Sequence, residues 1–512
     1  MMKHMTLMLV MMAFGHFSAN AFAGPAEDRP LHLVPWPSEI SISKTLLKPA
    51  ANLVFLTDER PPAMRVADVC KEDFKNLGFA VSAGGNASGG AVLLVRLTLA
   101  DDKSLGDEGY RLQVANEIIL TARTESGLFW GSRTLLQLLW AGPNIEVPNV
   151  TISDHPASAF RSLMTDNARN FHSLDFHLRM IRALALFKLN FYHIHFSDNQ
   201  GYTLPTAGIQ PAEGGEHVYG REDIRKLNEC AARYHVTIIP EIDMPGHALI
   251  IKRKMPQTRC ASGDSPEDLC MGGEESLKAI EGIISDTLDL FPGPYYHLGA
   301  DEVNFGHYAG CSACQQAIKA AKLKDADALY RSFINRMNKL VKSKGKRMIV
   351  WEGFNIAHGE PFIDKDVIVM PFDSFAGKSA NEYLAGGHDV INAAWTPLYV
   401  VHTMSAPPEM LAAWDVTRFG RYPCPEPREK WYQVEATPEL LGAQMCSWDN
   451  PEADEPGLLL GQGPKTARVN PAPRLPVYAE RIWSGGRTDT QNILTRLQPM
   501  LGKPLLKGPE GP

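Results

Sequence analysis

From Phe160 onward, short apolar runs alternate with longer segments in which apolar residues recur every third or fourth position. The short runs read as strands: Phe160–Met164, Phe191–Phe196, Val236–Ile242, Tyr295–Leu298, Met348–Trp351, Val367–Phe372, Val390–Trp395 and, more faintly, Ala443–Trp448. Between them lie helical spacings at Leu174–Phe187, Glu222–Tyr234, Glu274–Phe291, Ala326–Lys344, Ser379–Leu384 and Ala472–Trp483. Eight strands joined by crossovers of helix length predict a (β/α)8 TIM barrel over residues 155–490. Residues 24–152 are patterned differently. Strand-like stretches at Leu31–Val34, Leu53–Leu56, Ala91–Leu97, Gly109–Val114 and Glu117–Ala122 accompany two helical ones, Ala63–Leu77 and a helix capped by Thr124. That mix predicts a smaller α+β domain, a sheet with helices on one face. It holds no cluster of chemistry-bearing residues, so its expected role is structural. Residues 491–512 read as a C-terminal tail.

Composition narrows the partners. The 512 residues are 44% hydrophobic and 21% charged, ordinary for a globular protein, with a formal net charge of −7. Nothing in that balance or in any basic run suits nucleic acid or an anionic membrane. At the N-terminus, Lys3 precedes the apolar run Thr6–Phe14, and Ala21-Phe22-Ala23 ends in a small-x-small pattern. Residues 1–23 therefore read as a secretory signal peptide, which predicts a secreted or periplasmic protein without a membrane anchor. Export permits disulfides. Cys260 and Cys270, which bracket a polar loop, are the expected pair. Cys311-x-x-Cys314 could be redox-active or half of a zinc site, but no second pair follows it at ligand spacing, which favours a local structural link.

The polar residues fall in a telling place. Asp198 follows the second strand, Asp243 and His247 the third, Asp301 and Glu302 the fourth, Glu352 the fifth and Asp449 the eighth. Acids, histidines and tryptophans thus gather at the C-terminal strand ends, where a barrel builds its active site. Such a lining suits a sugar, with aromatic faces for the ring and carboxylates or Arg for the hydroxyls. The adjacent carboxyls of Asp301 and Glu302 repel, so one of them is expected to hold its proton to higher pH.

The motif His297-x-Gly299-Ala300-Asp301-Glu302 resembles the signature of the glycoside hydrolases of family 20, the β-N-acetylhexosaminidases. Phe160–Arg169, His193–Tyr202, Glu241–His247 and Ala479–Ser484 resemble further family segments in the same order, and Gly109–Leu112 with Ala122–Leu128 resembles its non-catalytic N-terminal domain. The resemblance implies an exo-acting enzyme that removes terminal N-acetylglucosamine or N-acetylgalactosamine from glycans with retention, without metal or cofactor, using the substrate's own acetamide as nucleophile. It implies Glu302 as acid/base and Asp301 as partner of the acetamide N–H. Tyr399 would bind the acetamide oxygen, Arg161 the ring hydroxyls, and Asp198 with His247 would support the acid/base. Trp351 and Trp448, with Trp395 as a weaker match, would wall the pocket.

Four segments depart from that pattern: Ala300 for a second glycine, Phe372 for a tryptophan, Val400-Val401 for Leu-Asp, and Asp449-Asn450 for x-Glu. The residues themselves leave two rivals. His193, His195, Asp243, His247 and Asp301 could bind a divalent metal in a metal-dependent barrel hydrolase. Alternatively, the barrel could bind sugars without turning them over.

Overall fold

In the computed structural model all eight expected barrel strands form, because each apolar run has one face to fill the barrel and another to meet the helices. The structure describes residues 31–501 except 84–90, 144, 207, 210–216, 261–266, 373–378, 402–404, 421–430, 449–458, 462–471 and 487–492. The expected signal peptide, Asp373, Asp449-Asn450, Cys424 and the extreme C-terminus lie outside the described residues.

The first layer is a seven-stranded sheet of β1 (Glu39–Leu47), β2 (Asn52–Thr57), β3 (Ala80–Ala83), β4 (Val92–Leu99), β5 (Tyr110–Val114), β6 (Ile118–Ala122) and β7 (Val147–Asp154), ordered β1-β7-β5-β6-β4-β2-β3. β5 and β6 form the expected antiparallel hairpin, and helices α1 (Pro61–Asn76) and α2 (Glu125–Leu138) pack on each other against the sheet. Thr124 caps α2 by accepting a hydrogen bond from the Gly127 amide. Leu31–Val34, expected as a strand, has no regular structure. The edge strand β1 was not foreseen, because its residues are mostly solvent-exposed and it lacks an apolar run.

The barrel runs β8 (Phe160–Asp166), β9 (Phe191–His195), β10 (Thr237–Glu241), β11 (Tyr295–His297), β12 (Arg347–Trp351), β13 (Ile368–Met370) and β14 (Val390–Asn392). The short β15 (Tyr399–Val400) and the hairpin β16 (Arg418–Gly420) and β17 (Trp431–Gln433) intervene before β18 (Leu440–Ser447). Parallel pairing of β18 with both β8 and β14 closes eight strands into a cylinder. Helices α3 (Leu174–Leu186), α4 (Arg221–Arg233), α5 (Leu249–Lys254), α6 (Glu274–Leu290), α7 (Ser312–Ala320) and α8 (Ala326–Ser343) connect its first half. Phe160, Met164, Ile239, Ile349, Ile368 and Cys446 help fill the interior.

Strand alternation decides which residues reach the interior. Phe160, Ser162 and Met164 face inward, with Ser162 donating to Gln444 Oε1 at 3.0 Å, so Arg161 between them faces out. Its guanidinium meets Glu108 of the N-terminal layer twice, at 2.7 and 2.9 Å, donates to the Lys188 carbonyl, and lies over Trp483. Lys188 pairs with Asp154 at 2.9 Å, and Tyr110 and Trp483 also donate to that carboxylate. The α+β layer is therefore joined to the N-terminal end of the barrel by paired charge, fully buried at Asp154, Lys188 and Arg161 and partly exposed at Glu108. Arg161, expected to grip ring hydroxyls, belongs to this joint and not to the pocket.

Candidate active site

At the opposite, C-terminal end of the strands a cavity of about 360 Å³ is lined by Arg169, Asp198, Asp243, His247, Asp301 and Glu302, and by the apolar faces of Phe372, Trp395, Tyr399, Val401 and Trp448. That volume sits at the small end of ligand-sized pockets. Consecutive strands deliver the polar half: Arg169 follows β8, Asp198 β9, Asp243 and His247 β10, and Asp301 with Glu302 β11.

The turn after β11 explains its own sequence. Gly299 has φ +77°, and a Cβ there would stand 1.8 Å from Asp243 Oδ1. Only glycine lets the turn close onto Asp243, which accepts the Ala300 amide at 3.2 Å. Ala300 itself has φ +75°, which costs on the order of 1 kcal/mol for a residue with a Cβ. The Tyr330 hydroxyl donates to the Ala300 carbonyl and helps hold the turn. His247 and Glu302 are also left-handed, each at φ +51°. Backbone strain of this kind concentrates at functional sites.

A chain of hydrogen bonds and one ion-pair contact, that of His247 Nδ1 with Asp198, leads from the barrel interior to the pocket mouth. Glu241 pairs in register with His195 on one side and His297 on the other. Its carboxylate is 2.5 Å from His195 Nδ1 and accepts the Trp351 indole N–H at 2.6 Å. His195 Nε2 lies 3.0 Å from Asp198, His247 Nδ1 lies 3.3 Å from the other Asp198 oxygen, and His247 Nε2 lies 3.2 Å from Glu302. Arg169 bridges Asp166 and Asp198 at 2.7 and 2.6 Å and covers Trp448.

The electrostatics separate the two neighbouring acids. Burial, reinforced by the charge of Glu302 and opposed by His247, pushes the Asp301 carboxyl up to about 6. Glu302 moves the other way: its hydrogen bond with His247 holds it below the usual carboxylate range. Against its burial, His247 is held protonated by Asp198 and Glu302. Asp198, likewise against burial, is held strongly ionised by His195 and His247. Burial and the Asp301 charge raise Asp243. The expected divergence of the pair is present, but in the free protein Asp301 is the acid that retains its proton longer. Asp301 Oδ1 is also shut from solvent and accepts no hydrogen bond among the described residues.

The structure brings Asp301, Glu302, Asp198, His247, Tyr399 and Trp448 together. Trp351, expected as a wall, lies one layer below. It is 1% exposed, with its ring against His297 and Trp448 and its N–H spent on Glu241. Trp395 is a wall instead, stacked on Tyr399 with ring centres 4.6 Å apart. Phe372 takes the wall position expected of it. Arg169, expected only as a polar residue after the first strand, and Asp243, expected as a strand-end residue and possible metal ligand, both line the pocket. The missed signal was position: Arg169 lies just past the C-terminal end of β8, whereas Arg161 starts that strand. His193, Glu241 and His297, His195, Asp198 and Asp243, and Asp243, His247 and Asp301 each lie close enough to share an ion. Most of these side chains are engaged with one another as described, as hydrogen-bond relays are.

Fold and site together define a (β/α)8-barrel protein with a carboxylate-centred, aromatic-walled pocket at the strand ends. The chain belongs to glycosyl hydrolase family 20: the family's catalytic domain matches residues 159–486 and its domain 2 matches residues 31–155. A beta-hexosaminidase of Porphyromonas gingivalis is 28% identical over 361 residues, 64% of this chain and 46% of that protein. A beta-hexosaminidase of Vibrio furnissii is 28% identical over 328 residues, 58% of this chain and 53% of that protein. The chain thus spans about half the length of the curated relatives it matches. In fold it is similar to the crystal structure of the GH20 exo beta-N-acetylglucosaminidase of Vibrio harveyi in complex with N-acetylglucosamine. The TM-score is 0.75 at 23% identity, over 92% of this chain and 76% of that one.

Proposed function

We propose that the protein is an exo-acting β-N-acetylhexosaminidase that cleaves terminal N-acetylglucosamine or N-acetylgalactosamine by a retaining, substrate-assisted mechanism. One observation carries the reading: a solvent-shut carboxyl oxygen of Asp301, without a donor among the described residues, in a pocket walled by Tyr399, Trp395 and Trp448. The Asp301 carboxyl lines this pocket and is where an acetamide N–H would bind. The two carboxyls of an ordinary retaining glycosidase face each other about 5–5.5 Å apart across the scissile bond. Neighbouring residues on one turn suit a different division of labour.

In the proposed reaction Glu302 gives its proton to the glycosidic oxygen as the acetamide oxygen attacks C1, forming an oxazolinium. Asp301 accepts the acetamide N–H and stabilises the positive charge that grows on nitrogen, while Tyr399 donates to the acetamide oxygen. Glu302 then takes a proton from water, which opens the oxazolinium at C1 and restores the β-configuration. Binding has to reverse the pKa order of the free protein. Glu302, whose side chain is 47% exposed, loses water when a sugar covers it and rises. Asp301 gains a hydrogen-bond donor and falls. The same export signal read in residues 1–23 supports a secreted or periplasmic location.

The test compares p-nitrophenyl N-acetyl-β-glucosaminide with the matching β-glucoside, which carries a hydroxyl in place of the acetamide. Turnover of the acetamido substrate alone supports the mechanism. Comparable rates on both would refute substrate assistance, and no turnover of any acetamido sugar would leave a sugar-binding barrel.

A further inference from the structure

Four cysteines from two neighbouring barrel loops meet in one buried cluster. Cys260 and Cys270 lie between α5 and α6, and Cys311 and Cys314 lie at the start of α7. All four are buried free thiols, and their sulfurs lie within 4.8 Å of one another. Cys270 Sγ is 3.8 Å from Cys311 Sγ and 3.6 Å from Cys314 Sγ. An ion bound at about 2.3 Å by four sulfurs at the corners of a tetrahedron holds those sulfurs about 3.8 Å apart. We propose that Cys260, Cys270, Cys311 and Cys314 form a closed tetrathiolate site for Zn²⁺.

The surroundings suit thiolates. The amides of Gly272 and Gly273 hydrogen-bond Cys270. A Cβ on Gly272 would lie 2.5 Å from Cys314 Cα, so this turn reaches the second pair of ligands only as glycine. Cys311 caps α7 and Cys314 sits in its first turn, where the helix dipole favours negative charge. The Lys252 ammonium interacts with Cys260 and Cys270 and offsets part of the double negative charge of a zinc tetrathiolate. Binding exchanges four thiol protons for one Zn²⁺ and involves no electron transfer.

The site ties together two loops that serve the pocket. Leu269, next to Cys270, donates its amide to the Pro245 carbonyl two residues before His247, and the Tyr308 hydroxyl donates to the Leu269 carbonyl. The expected Cys260–Cys270 disulfide is replaced by this four-sulfur cluster. Export to an oxidising compartment would favour two disulfides from the same residues. However, Cys270 is nearly equidistant from Cys311 and Cys314, a spacing that a single disulfide partner does not require.

Metal analysis of the purified full chain is expected to find about one zinc per molecule, displaced by a mercurial thiol reagent and lost in Cys311→Ser but kept in Cys230→Ser. Cys230 lies on α4, away from the cluster. If Cys311→Ser does not fold, replacing zinc with Co²⁺ in the native chain still decides. Thiolate-to-cobalt charge-transfer bands with tetrahedral d–d bands support the site. Non-reducing peptide maps that pair these four cysteines in two disulfides would overturn it, as would absence of zinc after exposure of the reduced protein to Zn²⁺.

Discussion

Two clusters of buried charge sit at opposite ends of the same barrel strands, and they differ in completeness. At the N-terminal end, Arg161 meets Glu108 twice, and Asp154 receives Lys188, Tyr110 and Trp483. Both carboxylates are held below their usual range despite burial, Glu108 by Arg161 and Asp154 by Lys188. At the C-terminal end, Asp301 keeps a solvent-shut oxygen without a donor among the described residues, and burial raises Asp301 and Asp243 with too little compensation. A satisfied cluster joins domains. The other leaves a buried carboxyl oxygen unmatched, a difference that fits the proposed division between structure at one end and chemistry at the other.

Breaking the C-terminal cluster should have the largest effect. Glu302→Gln removes the transferable proton and Asp301→Asn the negative charge beside the acetamide, and each is expected to lower kcat by about 10²–10⁴-fold with the fold intact. Steady-state kinetics on an acetamido aryl glycoside, alongside circular dichroism, measures this; near-native turnover in either variant removes the assignment of roles. Next comes a contrast between two arginines. Arg161→Met strands Glu108 and is expected to cost about 3–5 kcal/mol of unfolding free energy, while kcat/KM of the folded protein stays unchanged. Arg169→Met, which bridges Asp166 and Asp198 at the pocket, should lower kcat/KM by about tenfold or more with a smaller loss of stability. Denaturant melts paired with kinetics check both, and an Arg161 variant that binds sugar poorly but melts normally would return that residue to the pocket.

The sequence already carried the barrel, because each strand's apolar run is as long as the pleat it fills. It carried most of the pocket too, because strand ends can be located wherever a run stops. The errors have a common physical origin. Arg161 was read by its motif, while the parity of Phe160, Ser162 and Met164 turns it outward. Trp351 occupies the inward parity but sits one residue too deep to meet the cavity. The direction of the Asp301 and Glu302 shifts was not legible, since it depends on His247, a residue distant in sequence. The cysteine cluster escaped because the partners of Cys311-x-x-Cys314 come earlier in the chain, from the preceding loop. Pairing across loops is a property of the closed barrel that no local spacing announces.

The pH dependence divides the two clusters most cleanly, because pH moves them in opposite directions. Glu108 and Asp154 have depressed folded pKa values, so their stabilisation is present above the unfolded carboxylate range near 4 and is lost as pH falls through the folded values. Asp301 is raised to about 6, so its contribution is full below about pH 4 and is lost as pH rises through 6. Replacing it with neutral Asn should therefore leave stability nearly unchanged at pH 4. By pH 8 it should stabilise the protein by up to about 3 kcal/mol, including relief of its neighbour Asp243. Thermal melts of wild type and Asp301→Asn across pH 4–8 read that difference directly. A gain that does not grow with pH would mean that Asp301 is not an acid strained by burial. In that case the missing hydrogen-bond donor would lose its energetic meaning, and the contrast between the two ends of the barrel would rest on geometry alone.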